Sequence, residues 1–185
     1  MEDVAHDVET QCPWCRNEAS QPWGNDVRGF KMVKCDGCGL IYVRNPLSQE
    51  SLTEYYATYL SAVQQADDKA IQQRNDMYRL EAELIANHIK LGRVLDIGCG
   101  AGLFLDEFKR RGFQSYGIEF GAEAAREAGK HHPVVLGDFL EITLDGQFEL
   151  IVLRGVIEHV TRPREYLEKA AGLTRPDGVV FITST

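Results

Sequence analysis

Four cysteines stand in two tight pairs, Cys12-Pro13-Trp14-Cys15 and Cys35-Asp36-Gly37-Cys38, with nineteen residues between the pairs. A two-residue spacer lets both sulfurs of one turn face the same ion, and two such pairs fit a tetrahedral zinc site of four thiolates. Four thiolates saturate zinc and leave no position for water, so a site of this kind is structural. Two disulfides or four free thiols are the alternatives. A reducing compartment disfavours the disulfides, and unliganded cysteines rarely fall into this spacing. Few large aliphatic residues lie between the pairs, so metal binding would drive the folding of this segment.

A second group of residues belongs to a different chemistry. Gly98-Cys99-Gly100-Ala101-Gly102 follows the apolar run Val94-Leu95-Asp96-Ile97 and precedes the helix-like stretch Leu103–Arg111. A glycine turn between strand and helix lets backbone touch a nucleotide-like ligand. The next strand, 114–118, ends at Glu119, twenty-one residues after Gly98, where a carboxylate can take both hydroxyls of a ribose. Two cofactor classes fit. A nicotinamide or flavin nucleotide would set its pyrophosphate on the helix N-terminus. A phosphate-free ligand carrying an ammonium and a sulfonium would favour Asp96, two positions before the loop. The early third glycine and Asp96 tip the choice to the latter.

These side chains need a parallel sheet to position them. Strands are predicted at 94–97, 114–118, 134–137, 148–153 and 179–184. Ahead of them a long helix begins near Asp67, with Met77, Leu80, Leu84, Ile85 and Ile89 as its apolar face and Gly92 as its stop. Arg44-Asn45-Pro46-Leu47-Ser48 carries boundary punctuation, and Tyr55, Tyr56 and Tyr59 follow as packing residues or as part of a site. The expected organisation is a four-cysteine module at 1–46, a linker at 47–65 and an α/β domain at 66–185. His131 and His132 are expected in a surface loop and His6 in a frayed terminus.

At 185 residues, 44% hydrophobic and 26% charged, the chain has globular composition. Its formal net charge of −8 argues against a broad nucleic-acid surface. Residues 1–46 carry five basic and seven acidic side chains, so the cysteine module is no phosphate surface either. No apolar run approaches the roughly 18–20 residues needed to span a bilayer. The acidic start, Met1-Glu2-Asp3-Val4-Ala5-His6-Asp7, is unlike a secretory signal. A cytoplasmic protein is the expectation.

The stretch Val94–Gly102 resembles the first motif of class I S-adenosylmethionine-dependent methyltransferases almost letter for letter. Glu119 matches their ribose-binding acid, and the resemblance places Phe120 beside it on the cofactor. Gly137-Asp138-Phe139 matches the pair that holds the adenine. Phe148–Leu153 is similar to their fourth strand, with Leu153 at its cofactor end, and Arg154-Gly155-Val156-Ile157-Glu158-His159-Val160 to the segment after it in the small-molecule branch. Leu173–Gly178 resembles the turn before their fifth strand. The resemblance covers about residues 66–185. It implies a Rossmann-like doubly wound sheet, S-adenosylmethionine bound by Asp96, Gly98, Cys99, Gly100, Gly102, Glu119, Phe120, Asp138, Phe139 and Leu153, and a small-molecule acceptor such as a sugar. The cysteine module resembles the zinc modules of certain sugar methyltransferases.

Methyl transfer needs alignment, and a base only where the acceptor must lose a proton. His159, with Glu158 beside it, is the candidate base; a structural cap after the fourth strand is the alternative role. Cys99 reads as a small neutral filler in the loop. Arg154 would pair with an acidic substrate or a neighbouring carboxylate. The chain has Leu153-Arg154-Gly155-Val156 where family members acting on DNA amines carry Asn/Asp-Pro-Pro-Tyr/Phe, so DNA is not the expected acceptor. The resembled fold has seven strands in the order 3-2-1-4-5-7-6, and five are counted here. The fifth is left as an open edge. A shortened chain is the favoured explanation; a homodimer across that edge, or completion by a partner, are the others. A non-catalytic binding module and a protein or RNA methyltransferase stand as alternative functions, and a dehydrogenase as a more distant one.

Overall fold

The computed structural model describes residues 6–7, 10–48, 50–52, 54–55 and 68–184. The predicted linker and Tyr56 and Tyr59 fall largely or wholly outside them. Near the amino terminus three short strands, β1 (Ser20–Pro22), β2 (Met32–Cys35) and β3 (Ile41–Val43), pair antiparallel in the order β1-β2-β3. Their small core is Cys12, Val33, Cys35 and Tyr42, with Cys15 and Leu40 against it. So little apolar burial explains why cysteines sit at its centre. His6 is not frayed. It bridges to Leu47, its Nδ1 lies 2.9 Å from the Asn45 carbonyl oxygen, and its ring stands edge-on to Phe30.

The second sheet is parallel throughout: β4 (Arg93–Ile97), β5 (Gln114–Glu119), β6 (Val134–Leu136), β7 (Phe148–Arg154) and β8 (Thr174–Thr183), in the order β6-β5-β4-β7-β8. In predicted strand numbers this is 3-2-1-4-5. Helices α1 (Asp68–Ala86), α2 (Leu103–Arg110), α3 (Ala122–Ala128) and α4 (Pro163–Leu173) complete the domain. The central strands β4 and β7 read as continuous apolar runs because helices cover both their faces. Alternation then splits their side chains. Leu95, Ile97, Ile151 and Leu153 join Phe139, Tyr166 and Ala170 on one face. Val94, Leu150 and Val152 join Ala82, Ile85, Phe104, Phe108 and Phe113 on the other.

Four further expectations are corrected. The buried face of α1 is Tyr78, Ala82, Ile85 and, beyond its end, Ile89, while Met77, Leu80 and Leu84 are exposed. The helix carries two apolar stripes, and the one with the small Ala82 and the flat Tyr78 ring, 5.4 Å from that of Phe104, packs against α2. It stops at Ala86, ahead of Gly92. The last strand is entered directly from α4 at Thr174; Thr174 pairs with Phe148 and Val179 with Leu150, so Arg175-Pro176-Asp177-Gly178 bulges opposite Glu149 alone. The predicted turn thus lies inside the strand. His132 is buried, with its Nδ1 2.9 Å from Ser115 Oγ and its Nε2 2.9 Å from Asp106 Oδ1. Burial lowers its pKa although Asp106 opposes the shift.

Candidate active site

A cavity of about 510 Å³ opens at the carboxyl ends of β4, β5 and β7, the edge at which open parallel sheets bind ligands. The glycine loop forms its floor. Gly98 (φ +73°) hydrogen-bonds its N–H to the Ile118 carbonyl at 2.8 Å, and a Cβ there would meet Val156 Cγ2 at 2.6 Å. Gly100 (φ +55°) has no heavy atom near the place its Cβ would take, so the bare backbone there borders open space. Both conformations lie where L side chains are disfavoured.

Three carboxylates surround this cavity. Asp96 is almost wholly buried near the end of β4. Burial, and then the neighbouring Glu119 carboxylate, push its pKa up to about 8 against a pull from Arg154. Glu119 ends β5 with both oxygens engaged: Oε2 accepts the Gly100 N–H and Oε1 the Gly121 N–H, each at 2.7 Å. Each oxygen keeps a second lone pair for a ligand hydroxyl. Asp138 follows β6, and its Oδ1 accepts the Leu140 N–H at 2.9 Å and the Tyr166 hydroxyl at 2.7 Å.

Asp96, Gly98, Cys99, Gly100, Glu119, Phe120, Asp138, Phe139 and His159 all line the cavity. Gly102 stands just behind, as the N-cap of α2, close to Ala128 and His132. Leu153 is fully buried in the core and its side chain does not reach the wall, because alternation along β7 turns it toward Ile151 and the α4 layer. Glu158 is exposed beside His159 and is not on the wall, while His159 sits in an exposed turn at the mouth. Burial drives the Cys99 thiol far above its ordinary pKa, with Asp96 and Glu119 adding to the shift.

Other wall residues were not singled out by spacing. Arg74 and Tyr78 come from α1, Arg162 and Tyr166 from the start of α4, and Leu52 from the segment before α1, where Tyr55, expected as a packing or site residue, is on the wall too. The Arg74 Nε is buried without a hydrogen-bond partner among the described residues. Arg154 pairs with a neighbouring carboxylate, Glu81, at 2.7 Å, and its guanidinium lies 4.5 Å over the Tyr78 ring.

The sulfur atoms of Cys12, Cys15, Cys35 and Cys38 all lie within 4.8 Å of one another. Cys12 and Cys38 are 3.6 Å apart and Cys15 and Cys35 3.5 Å. Metal–sulfur bonds of about 2.3 Å in a tetrahedron put sulfurs about 3.8 Å apart, so the set fits a four-thiolate ion such as zinc. Backbone N–H groups, that of Cys38 foremost, pull the Cys35 thiol down to about 7. The cysteine module touches the first turn of α4, where Arg16 meets Glu165 at 3.4 Å and Arg164 donates to the Trp14 carbonyl at 3.3 Å.

A family model described as "Methyltransferase domain" matches residues 69–185. The ubiquinone biosynthesis O-methyltransferase of Nitrosococcus oceani is 30% identical over 122 residues, covering 60% of this chain and 51% of that protein. Its namesake from Rhodopseudomonas palustris strain TIE-1 is 34% identical over 101 residues, covering 50% and 39%. The chain thus spans about half the length of these relatives, or less. Among solved structures, the DhpI-SAM-HEP complex superposes with a TM-score of 0.59 at 24% identity, covering 73% of this chain and 64% of that one. CalS10, an amino pentose methyltransferase from Micromonospora echinaspora, gives 0.56 at 21% identity, covering 65% and 57%. No helix among the described residues is long and apolar enough to cross a membrane.

Proposed function

Since the chain belongs to the methyltransferase-domain family, we propose that it transfers the methyl group of S-adenosylmethionine to a small-molecule acceptor, a sugar or another biosynthetic intermediate. The observation that carries this reading is the placement of Asp96, Glu119 and Asp138 around one cavity, at or just beyond the ends of three neighbouring strands. Three carboxyl groups suit a ligand that presents an ammonium, a ribose diol and an aromatic amine, and a pyrophosphate offers them neither a positive charge nor a hydrogen-bond donor. That tells against a dinucleotide cofactor, and the distant dehydrogenase reading goes with it. Gly98, Gly100 and Gly102 shape the loop under the ligand, Phe120 and Phe139 supply apolar wall, and Cys99 fills space as a neutral thiol.

When bound, the cofactor supplies a methyl carbon activated by its sulfonium. The protein holds that carbon in line with the acceptor and keeps water away from it. His159 at the mouth takes the proton of a hydroxyl acceptor, with Glu158 beside it to orient or assist it. Full turnover by His159→Ala with the true acceptor would remove His159 from this role. The names of the relatives, a ubiquinone-pathway O-methyltransferase and an amino pentose methyltransferase, support a small acceptor. We assign residues 1–46 to a structural zinc module, 47–65 to a linker and 66–185 to the cofactor domain, and a reducing cytoplasm suits the four thiols.

Titration calorimetry of the chain with S-adenosylhomocysteine, repeated with Glu119→Ala, tests the reading. Micromolar binding that the substitution weakens supports it; a folded protein that binds nothing opposes it. A second reading, a cofactor module completed by another chain or a second copy, rests on β8, whose only strand partner among the described residues is β7.

A further inference from the structure

Helix α4 lies outside every motif of the sequence except at its last residue, Leu173, yet one of its faces holds the segment that follows β6. Tyr166 and Lys169, one helical turn apart, both reach that segment. The Tyr166 hydroxyl donates to Asp138 Oδ1 at 2.7 Å. The Lys169 ammonium donates to the carbonyls of Phe139, Leu140 and Ile142 at 2.5, 3.0 and 2.6 Å, and lies 4.9 Å from the centre of the Phe139 ring. All three of its donors are used. Three carbonyl oxygens gathered this closely repel one another without a cation between them, so Lys169 fixes the curve of the segment. The Phe139 and Tyr166 rings pack at 5.4 Å and tie helix and segment into one core cluster.

The consequence falls on Asp138. Its Oδ1 already accepts two hydrogen bonds, from Leu140 N–H and Tyr166 O–H, which fills that oxygen's lone pairs. Oδ2 remains, with the nearest Arg162 nitrogen 3.9 Å away. We propose that Tyr166 and Lys169 are positioning residues that fix Asp138 so that Oδ2 alone accepts the exocyclic amine of the ligand's purine. Selectivity for a 6-amino purine over a 6-oxo purine is therefore set from α4. A 6-oxo ring presents an acceptor where Oδ2 needs a donor. The inference rests on Asp138 being the purine-binding acid of the proposed cofactor site.

The test compares binding of S-adenosylhomocysteine and S-inosylhomocysteine, which differ in that one substituent, to the whole chain and to Tyr166→Phe, Lys169→Met and Asp138→Ala. The native chain is expected to prefer the adenosyl compound by about tenfold or more. Tyr166→Phe, which removes one oxygen from a packed ring, should cut adenosyl affinity about three- to tenfold while changing inosyl affinity less than about twofold. Lys169→Met should shift the same ratio in the same direction, with circular dichroism reporting whether it folds. If the native chain prefers the adenosyl compound, Asp138→Ala abolishes that preference and Tyr166→Phe keeps all of it, the positioning role is overturned and the Asp138 reading stands. Equal weakening of both ligands by Tyr166→Phe also overturns it, since that is the mark of a merely structural contact. If the native chain binds both equally and Asp138→Ala changes neither, the Asp138 reading fails and takes this inference with it.

Discussion

The Gly100 backbone N–H donates a 2.7 Å hydrogen bond to Glu119 Oε2, so the carboxylate expected at the ribose also holds the glycine loop in shape. Loop geometry and the proposed ligand grip thus depend on one side chain at the end of β5. Glu119→Gln keeps the size but offers one acceptor where two N–H groups converge. We expect a loss of about 1–3 kcal/mol in stability, the scale of a hydrogen bond to a charged acceptor. Affinity for S-adenosylhomocysteine should fall at least about tenfold with it. Thermal unfolding and calorimetry read the two effects, and an unchanged affinity would remove Glu119 from the site.

Asp96, with its pKa raised to about 8 by burial and by Glu119, carries a proton in the free protein at neutral pH. A cationic ligand favours the ionised form. Binding of S-adenosylmethionine near pH 6.5 should therefore release up to one proton, and affinity should rise as pH climbs toward about 8. Below that pH part of the binding energy is spent on deprotonation. Calorimetry in two buffers of different ionisation enthalpy counts the proton. Asp96→Asn should abolish both the release and the slope.

Gly98 and Gly100 are both at positive φ, but their substitutions should fail differently. Gly100→Ala meets no protein atom, so its stability cost is the left-handed backbone, about 1–2 kcal/mol. Its methyl group would project toward the ligand's place, and affinity should drop about tenfold or more. Gly98→Ala carries the same backbone cost and also strikes Val156, so it should lower the melting temperature further. Equal effects of the two on both readouts would contradict this assignment.

His132 bridges Ser115 on β5 and Asp106 in the first turn of α2. Its pKa is lowered by burial, so the unfolded chain binds its proton more readily than the folded one. The sign follows: stability contributed here is present above the unfolded value of about 6.5 and is lost as pH falls below it. His132→Gln should flatten the fall in melting temperature between pH 6.5 and 5, at a cost of about 1–3 kcal/mol at pH 8 from the unpaired partners. A slope unchanged by the substitution would assign the acid sensitivity to other groups.

Chelation of the cysteine module should melt β1–β3, since the buried cluster there is built around Cys12 and Cys35. The polar contacts from its Arg16 and Trp14 to α4 are at exposed side chains, a type worth about 0–1 kcal/mol. The cofactor domain should therefore keep its affinity for S-adenosylhomocysteine within about threefold. The exposed Trp14 and Trp23 provide the fluorescence signal for the module. A larger loss of affinity would mean that the module supports the site beyond these contacts.

Much of the site could be read locally. The run Val94–Ile97, the glycines behind it and Glu119 are separated by short stretches of chain, and in a parallel sheet neighbouring strands bring such positions to one edge. The order 3-2-1-4-5 is the one the family resemblance implied, and right-handed βαβ crossovers are compatible with it without choosing it. Four cysteines in two close pairs likewise announce their own convergence. In each case periodicity, turn chemistry and covalent spacing leave few alternatives.

The remainder was decided by packing between distant segments. Which stripe of α1 is buried depended on how closely Ala82 lets the helix approach α2, and local periodicity offered Met77, Leu80 and Leu84 equally well. His132 looked like a loop residue until Ser115 and Asp106 closed around it. Tyr166 meets Asp138 across 28 residues and Arg154 meets Glu81 across 73. No local pattern records such pairs, because a side chain's partner is fixed by where the crossover helices land on the sheet. The sequence by itself determined the strand-and-loop frame and the acids on it that line the cavity. The tertiary structure alone decided which side chains hold those acids in place, since that support is built from contacts between layers and not within elements.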